Sequence, residues 1–141
     1  MADIGLLLAD TSAWHHSSDP GVLEQWRRHL DDDRIATTAL VRLEVLYSAR
    51  SAGDYDVTVT RLGALHQLPC GADAADRALE VQRSLAHQGA LHHRSVKLPD
   101  LLIAAVAEIA GVTVWHYDHD FERIAQITGQ QVQWIAEPGS L

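Results

Sequence analysis

The sequence predicts an α/β fold, a sandwich with a mainly parallel central sheet flanked by helices. Two observations carry this. Short, strand-like apolar runs alternate with longer helix-like segments along the whole chain. The segment after Pro99 is apolar almost all round and rich in alanine, the pattern of a helix buried against a sheet.

The elements follow in order. Residues 4–9 form a brief continuous apolar run, which reads as a buried strand. Residues 19–31 read as a helix, with Asp19 as N-cap and Pro20 in the first turn. Residues 35–37 make a weak strand, and Thr38 then caps a helix reaching about Arg50. A second helix over 54–65 forms a hairpin with it around Gly53. Pro69 and Cys70 mark a strand end, and residues 74–88 form a polar-faced helix stopped by Gly89. After the loop 90–97, Pro99 opens a helix that ends at Gly111. A strand over 112–116, a helix over 119–128 ending at Gly129 and a last strand over 132–135 complete the chain. No repeat or linker divides it, so 1–141 reads as a single domain.

Composition narrows the function. Hydrophobic residues make up 47% and charged residues 21%, a globular profile. The longest apolar run, Leu101 to Ala107, is far short of the ~20 residues of a membrane span. No basic region opens the chain, and Cys70 is alone, so a structural cysteine in a reducing, cytoplasmic setting is expected. A net charge of −8 argues against a general nucleic-acid coat protein but not against a nuclease that concentrates its contacts locally.

Five acids stand where the chain is otherwise most apolar. Asp10 closes the run Gly5-Leu6-Leu7-Leu8-Ala9, and Glu44 interrupts a run from Ala39 to Tyr47. Asp100 opens Leu101-Leu102-Ile103-Ala104-Ala105-Val106, and Asp118 and Asp120 follow Val112 to Tyr117. A carboxylate beside such runs is costly to desolvate unless it is paired, hydrogen-bonded or bound to a cation. Each has a simpler explanation alone. Asp10 fits a helix cap, Asp100 favours a helix dipole, Glu44 suits a core arginine, and one of Asp118 and Asp120 suits an N-cap. Together they match an all-oxygen site for a hard divalent cation, with the hydroxyls of Thr11 and Ser12 as ligands or supports. In parallel-sheet folds ligands bind beyond the carboxyl ends of strands, where Asp10 and Asp118 would lie. The nine histidines lack a zinc pattern, and no phosphate loop or nucleophile elbow is present.

Asp10-Thr11-Ser12, the mid-helix Glu44, Pro99-Asp100-Leu101-Leu102-Ile103-Ala104-Ala105 and Tyr117-Asp118-His119-Asp120-Phe121 resemble the PIN domain in the same order over nearly the whole chain. More narrowly, the chain resembles VapC-type toxins of bacterial toxin–antitoxin pairs. The resemblance implies a PIN-like sandwich and a Mg²⁺- or Mn²⁺-dependent endoribonuclease cutting structured or coding RNA. It also implies a small VapB-type antitoxin as inhibitor and a homodimer. It places metal ligands at Asp10 and Asp100, with Glu44, Asp118 and Asp120 as further acids of the site and Asp118 the expected third ligand. The side of the last motif that faces the metal stays open. Arg94 and Lys97, in the loop before Asp100, are the expected phosphate contacts at the rim of the acidic pocket.

Two rival classes are a haloacid-dehalogenase-like phosphatase and a catalytically silent PIN-like binding module. The first usually needs an acid two residues after Asp10, where this chain has Ser12. The second has no use for an uncompensated acidic cluster.

Overall fold

The computed structural model describes residues 5–141. Five strands form one sheet: β1 (Leu7–Ala9), β2 (Ile35–Thr38), β3 (His66–Leu68), β4 (Thr113–His116) and β5 (Val132–Trp134). All neighbours run parallel, in the order β3-β2-β1-β4-β5. Among the described residues, seven helices connect them: α1 (Thr11–His15), α2 (Leu23–Asp31), α3 (Ala39–Tyr47), α4 (Ala52–Gly63), α5 (Ala72–His87), α6 (Leu98–Ala110) and α7 (His119–Thr128). A 3₁₀ turn, His92–Arg94, lies between α5 and α6.

Helices cover both faces of the sheet, so β1 and the middle of β4 are apolar on both faces. Leu8 and Val114 pack into a core with residues of α3, α5, α6 and α7, whereas Leu7, Ala9, Ile35 and Trp115 pack with Ala13 of α1 and Trp26 of α2. Trp115 stacks on Trp26 at 5.3 Å between ring centroids. Alternate residues of one strand therefore feed separate cores, which fixes the register: a slip by one residue would exchange the two faces. The mainly parallel sandwich expected from the alternating pattern is what forms, with every strand pair parallel.

Local boundaries differ in informative ways. The first strand is Leu7–Ala9 rather than 4–9, and Ile4 lies outside the described residues. Helix α2 begins at Leu23, not near Pro20, because the Asp19 carboxylate is engaged by His16 at 2.7 Å and does not cap a helix. Helix α3 stops at Tyr47, and Thr38 makes no side-chain cap bond. Helix α4 starts earlier than Asp54: Ser51 caps it by accepting from the Asp54 N–H at 3.0 Å, and Gly53 lies inside the helix rather than at the turn. Cys70 is exposed, so it is no part of the core. Among the described residues, no helix is long and apolar enough to cross a membrane.

Candidate functional site

The sheet order places a topological switch between β1 and β4. The chain leaves β1 towards β2 on one side, while β4 and β5 lie on the other. A crevice beyond the carboxyl ends of the strands opens at such a point. Asp10 follows β1 directly, and its N–H donates to the Trp115 carbonyl of β4 at 2.9 Å. Asp118 stands two residues beyond the end of β4. The two acids therefore border one crevice.

Asp10 caps α1 and still keeps an oxygen free. Its Oδ2 accepts from the Ser12 N–H at 3.0 Å and the Ser12 hydroxyl at 2.6 Å, while Oδ1 is buried without a hydrogen-bond partner. Burial raises its pKa, opposed by the Ser12 hydrogen bonds, and the Glu44 charge adds to the rise. The same Ser12 hydroxyl accepts from the Tyr117 N–H at 2.9 Å, so one side chain ties the end of β1 to the end of β4.

Asp100 is the third residue of α6, whose start is set by Pro99 in its first turn. It is buried, and its Oδ2 has no hydrogen-bond partner. Asp118 caps α7 by accepting from the Asp120 N–H at 2.9 Å, and its own N–H donates to Nδ1 of the fully buried His116 at 3.1 Å. Burial holds the His116 pKa down to about 4, so the ring is neutral and suited to accept that bond. Single carboxylate oxygens of Asp100, Asp118 and Asp120 lie within 4.8 Å of one another. Asp10 is not in this trio, but its charge helps to raise Asp100.

Desolvation pushes the Asp100 carboxyl up to about 8, and its hydrogen bond to Asp120 and the Asp10 charge add to this. Burial opposes ionisation of Asp120 too, but hydrogen bonds from Asp100 and from Lys97 hold its pKa below the usual range. The two carboxyls are thus pushed in opposite directions, Asp100 towards its neutral form and Asp120 towards its charged one.

Lys97 reaches into this cluster instead of standing only at its rim. Its Nζ lies 2.6 Å from Asp118 Oδ2, 2.9 Å from Asp120 Oδ2 and 3.4 Å from Asp100 Oδ2. Arg94 is exposed in the preceding 3₁₀ turn. Glu44 accepts from the Thr11 hydroxyl at 2.8 Å, so its partner is Thr11 and not a core arginine. Thr11 thus holds Glu44, whereas Ser12 holds Asp10. Sequence reasoning missed Arg123, which sits 3.4 Å from Asp120 Oδ1 and donates to the Ser95 carbonyl at 3.1 Å. Its position three residues after Asp120 on α7 is the signal that was available.

The donor set fits a divalent cation. Asp10 Oδ1 is buried without a donor among the described residues, Asp100 Oδ2 has only the Lys97 ammonium near it at 3.4 Å, three carboxylates converge, and the converging ligand atoms are all hard oxygens.

The PIN domain family matches residues 7–127. The chain is 52% identical over 132 residues to Ribonuclease VapC18 of Mycobacterium tuberculosis, covering 94% of this chain and 96% of that one. It shares its fold with DNA-bound VapBC from Salmonella typhimurium: TM-score 0.75, 21% identity, coverage of 94% and 100%. A second solved structure belongs to VapBC-5 of Mycobacterium tuberculosis, a member of the VapBC family of toxin–antitoxin systems. It matches with TM-score 0.58 and 26% identity, covering 94% of this chain and 98% of that one. The aspartates gathered at the β1–β4 crevice and these matches, each spanning most of the chain, lead to one conclusion: the protein belongs to the PIN-domain family and, within it, to the VapC group.

Proposed function

We propose that this chain is a metal-dependent endoribonuclease acting as the toxin of a toxin–antitoxin pair. The observation that carries the reading is the convergence of Asp100, Asp118 and Asp120 at the sheet switch point in a chain half identical to a named ribonuclease. Asp10, Asp100 and Asp118 are the proposed metal ligands, and Asp120 faces the same centre. Mg²⁺ is the proposed ion, with Mn²⁺ as substitute, since the ligands are carboxylate oxygens. When bound, such an ion polarises the scissile phosphate and activates the attacking water.

The chain's own residues do the rest. Ser12 orients Asp10, and Thr11 orients Glu44. Glu44 borders a cavity of ≈ 420 Å³ with Thr11, His15, Leu43, Tyr47 and Ser48, and its charge reaches Asp10 of the acidic crevice, which supports it as the proposed acceptor of a proton from water. Arg94 and Lys97 are the proposed phosphate contacts. The proposed partners are RNA, a VapB-type antitoxin and a second copy of this chain. A self-interface is supported by exposed Leu79 and Leu98 beside an apolar groove between α5 and α6.

A phosphatase of the haloacid-dehalogenase type would use an acid at position 12. Ser12 is there, with its hydroxyl already shared between Asp10 and Tyr117. The test is RNA cleavage by nuclease-free protein with Mg²⁺, Mn²⁺, Zn²⁺ or excess EDTA, and para-nitrophenyl phosphate as control substrate. Cleavage is expected with Mg²⁺ and Mn²⁺, weakly with Zn²⁺, and not in EDTA. Full cleavage in EDTA, or turnover of the phosphate ester alone, would overturn the reading.

Ser12→Ala removes both bonds of the bridging hydroxyl and leaves Asp10 its backbone donor. Cleavage is expected to fall about 10- to 100-fold, as when a group supporting a metal ligand is lost. Ser12→Thr, which retains a hydroxyl, is expected to recover part of it. Wild-type rates for Ser12→Ala would show that the bridge has no part in positioning Asp10.

A further inference from the structure

Of the 11 basic residues, Lys97 is the only lysine, and its ammonium occupies the middle of the acidic cluster. An ammonium has three N–H donors, and here three carboxylates surround it. Mg²⁺ binds carboxylate oxygens at about 2.0–2.1 Å, so an ion held by the same oxygens would stand in near contact with Nζ. Two cations in near contact repel and would compete for the same three carboxylates, so ion and ammonium exclude each other.

We propose that Lys97 is a built-in counter-ion that holds the three aspartates together in the metal-free protein, is expelled when the metal binds, and then takes a phosphate of the RNA. This rests on the metal-centre reading above. The side chain has a path out, being 63% exposed on a flexible stem. Its backbone is not. The Lys97 N–H donates to Asp120 Oδ2 at 3.0 Å, and its carbonyl accepts from the Asp100 N–H at 3.1 Å. An ammonium leaving the cluster is therefore tethered at its rim by the fixed backbone. Metal and RNA then favour each other, because the metal takes the aspartates and the phosphate takes the ammonium, the two halves of an ion cluster that pair with each other in the absence of both.

The binding test uses the full chain without RNA. Calorimetry at pH 8 is expected to give K97M an affinity for Mg²⁺ about tenfold tighter than wild type, within the usual range of coupling between sites. A single lysine also gives a single signal. In wild-type protein labelled at lysine ¹³Cε, that signal is expected to shift and sharpen as Mg²⁺ is added, saturating with the calorimetric affinity. With a 2′-O-methyl RNA that resists cleavage, the gain in RNA affinity on adding Mg²⁺ is expected to be smaller for K97M than for wild type. Equal or weaker Mg²⁺ binding by K97M, or a lysine signal that ignores the metal, would overturn the role of Lys97 and leave the metal centre standing. Absence of Mg²⁺ binding by both proteins would overturn the metal centre and this inference with it.

Discussion

Replacing Asp100 with Asn is expected to lower RNA cleavage by about 10³-fold or more while making the metal-free protein more stable. Asn keeps the shape of the side chain and removes its charge. Asp100 is buried beside three other carboxylates, and desolvation, Asp120 and Asp10 together push its pKa up to about 8. The sign follows from proton linkage. In the unfolded chain the carboxyl loses its proton near 3.8, whereas in the folded protein it holds it to about 8. Between those values the folded state binds the extra proton, so this group's contribution to stability falls as pH rises through that window. Buried His116 acts in the opposite sense, destabilising the fold as pH drops from its ordinary value towards about 4. The comparison must therefore be made between variant and wild type at each pH, where the histidine contribution cancels. The excess melting temperature of Asp100→Asn is expected to be near zero at pH 4, to grow steadily, and to reach about 3 °C or more at pH 8. Asp10→Asn is expected to lose cleavage similarly. Wild-type cleavage by both variants, or an Asp100→Asn excess that shrinks as pH rises, would remove these residues from the centre.

The same acids are legible in the sequence. Asp10, Asp100, Asp118 and Asp120 each abut an apolar run, and desolvation makes that placement costly without a partner. Pro99 and Gly111 bounded α6 through backbone chemistry that is local. Position along parallel strands then put Asp10 and Asp118 at one edge. What failed was also local, but ambiguous. Helix α1 has only five residues, too few to show a helical period. Asp19 and Pro20 look like a helix start, but His16 claims the Asp19 side chain first. Gly53 looks like a breaker, yet Ser51 caps the helix before it.

Other features were beyond local reasoning altogether. The Thr11–Glu44 bond joins residues 33 apart in sequence, and the Ser12–Tyr117 bond joins residues 105 apart. Lys97 and Asp100 are neighbours at i,i+3, a visible spacing. That the same ammonium also reaches Asp118 and Asp120 depends on how α6 and α7 meet. The hydroxyls illustrate the difference well. Their place beside Asp10 makes Thr11 and Ser12 candidate supports, but only the packing of α1 against α3 and β4 assigns one to Glu44 and the other to Asp10.

Glu44→Gln is expected to reduce cleavage by about 10²-fold or more, in the range of lost acid–base catalysis, and to leave the melting temperature unchanged or slightly raised. The carboxylate accepts from the Thr11 hydroxyl at 2.8 Å, and the carbonyl of Gln can accept the same bond. Packing on α3 is therefore preserved, and only charge is lost. That charge raises the pKa of Asp10, so removing it relieves repulsion in the crevice. A glutamate kept for a structural ion pair would behave differently, because its basic partner would be left buried and unpaired at a cost of about 3–5 kcal/mol. Thr11→Val separates charge from orientation. It keeps the Glu44 carboxylate but deletes the donor, and is expected to lower cleavage by less than Glu44→Gln does. Thermal melts and initial rates on the same preparations check both variants. A large drop in stability for Glu44→Gln with cleavage retained would place Glu44 in the scaffold. The expected pattern, activity lost at constant stability, puts it in the chemistry, because a residue on the edge of an open cavity that can be neutralised without loosening the fold contributes through its charge.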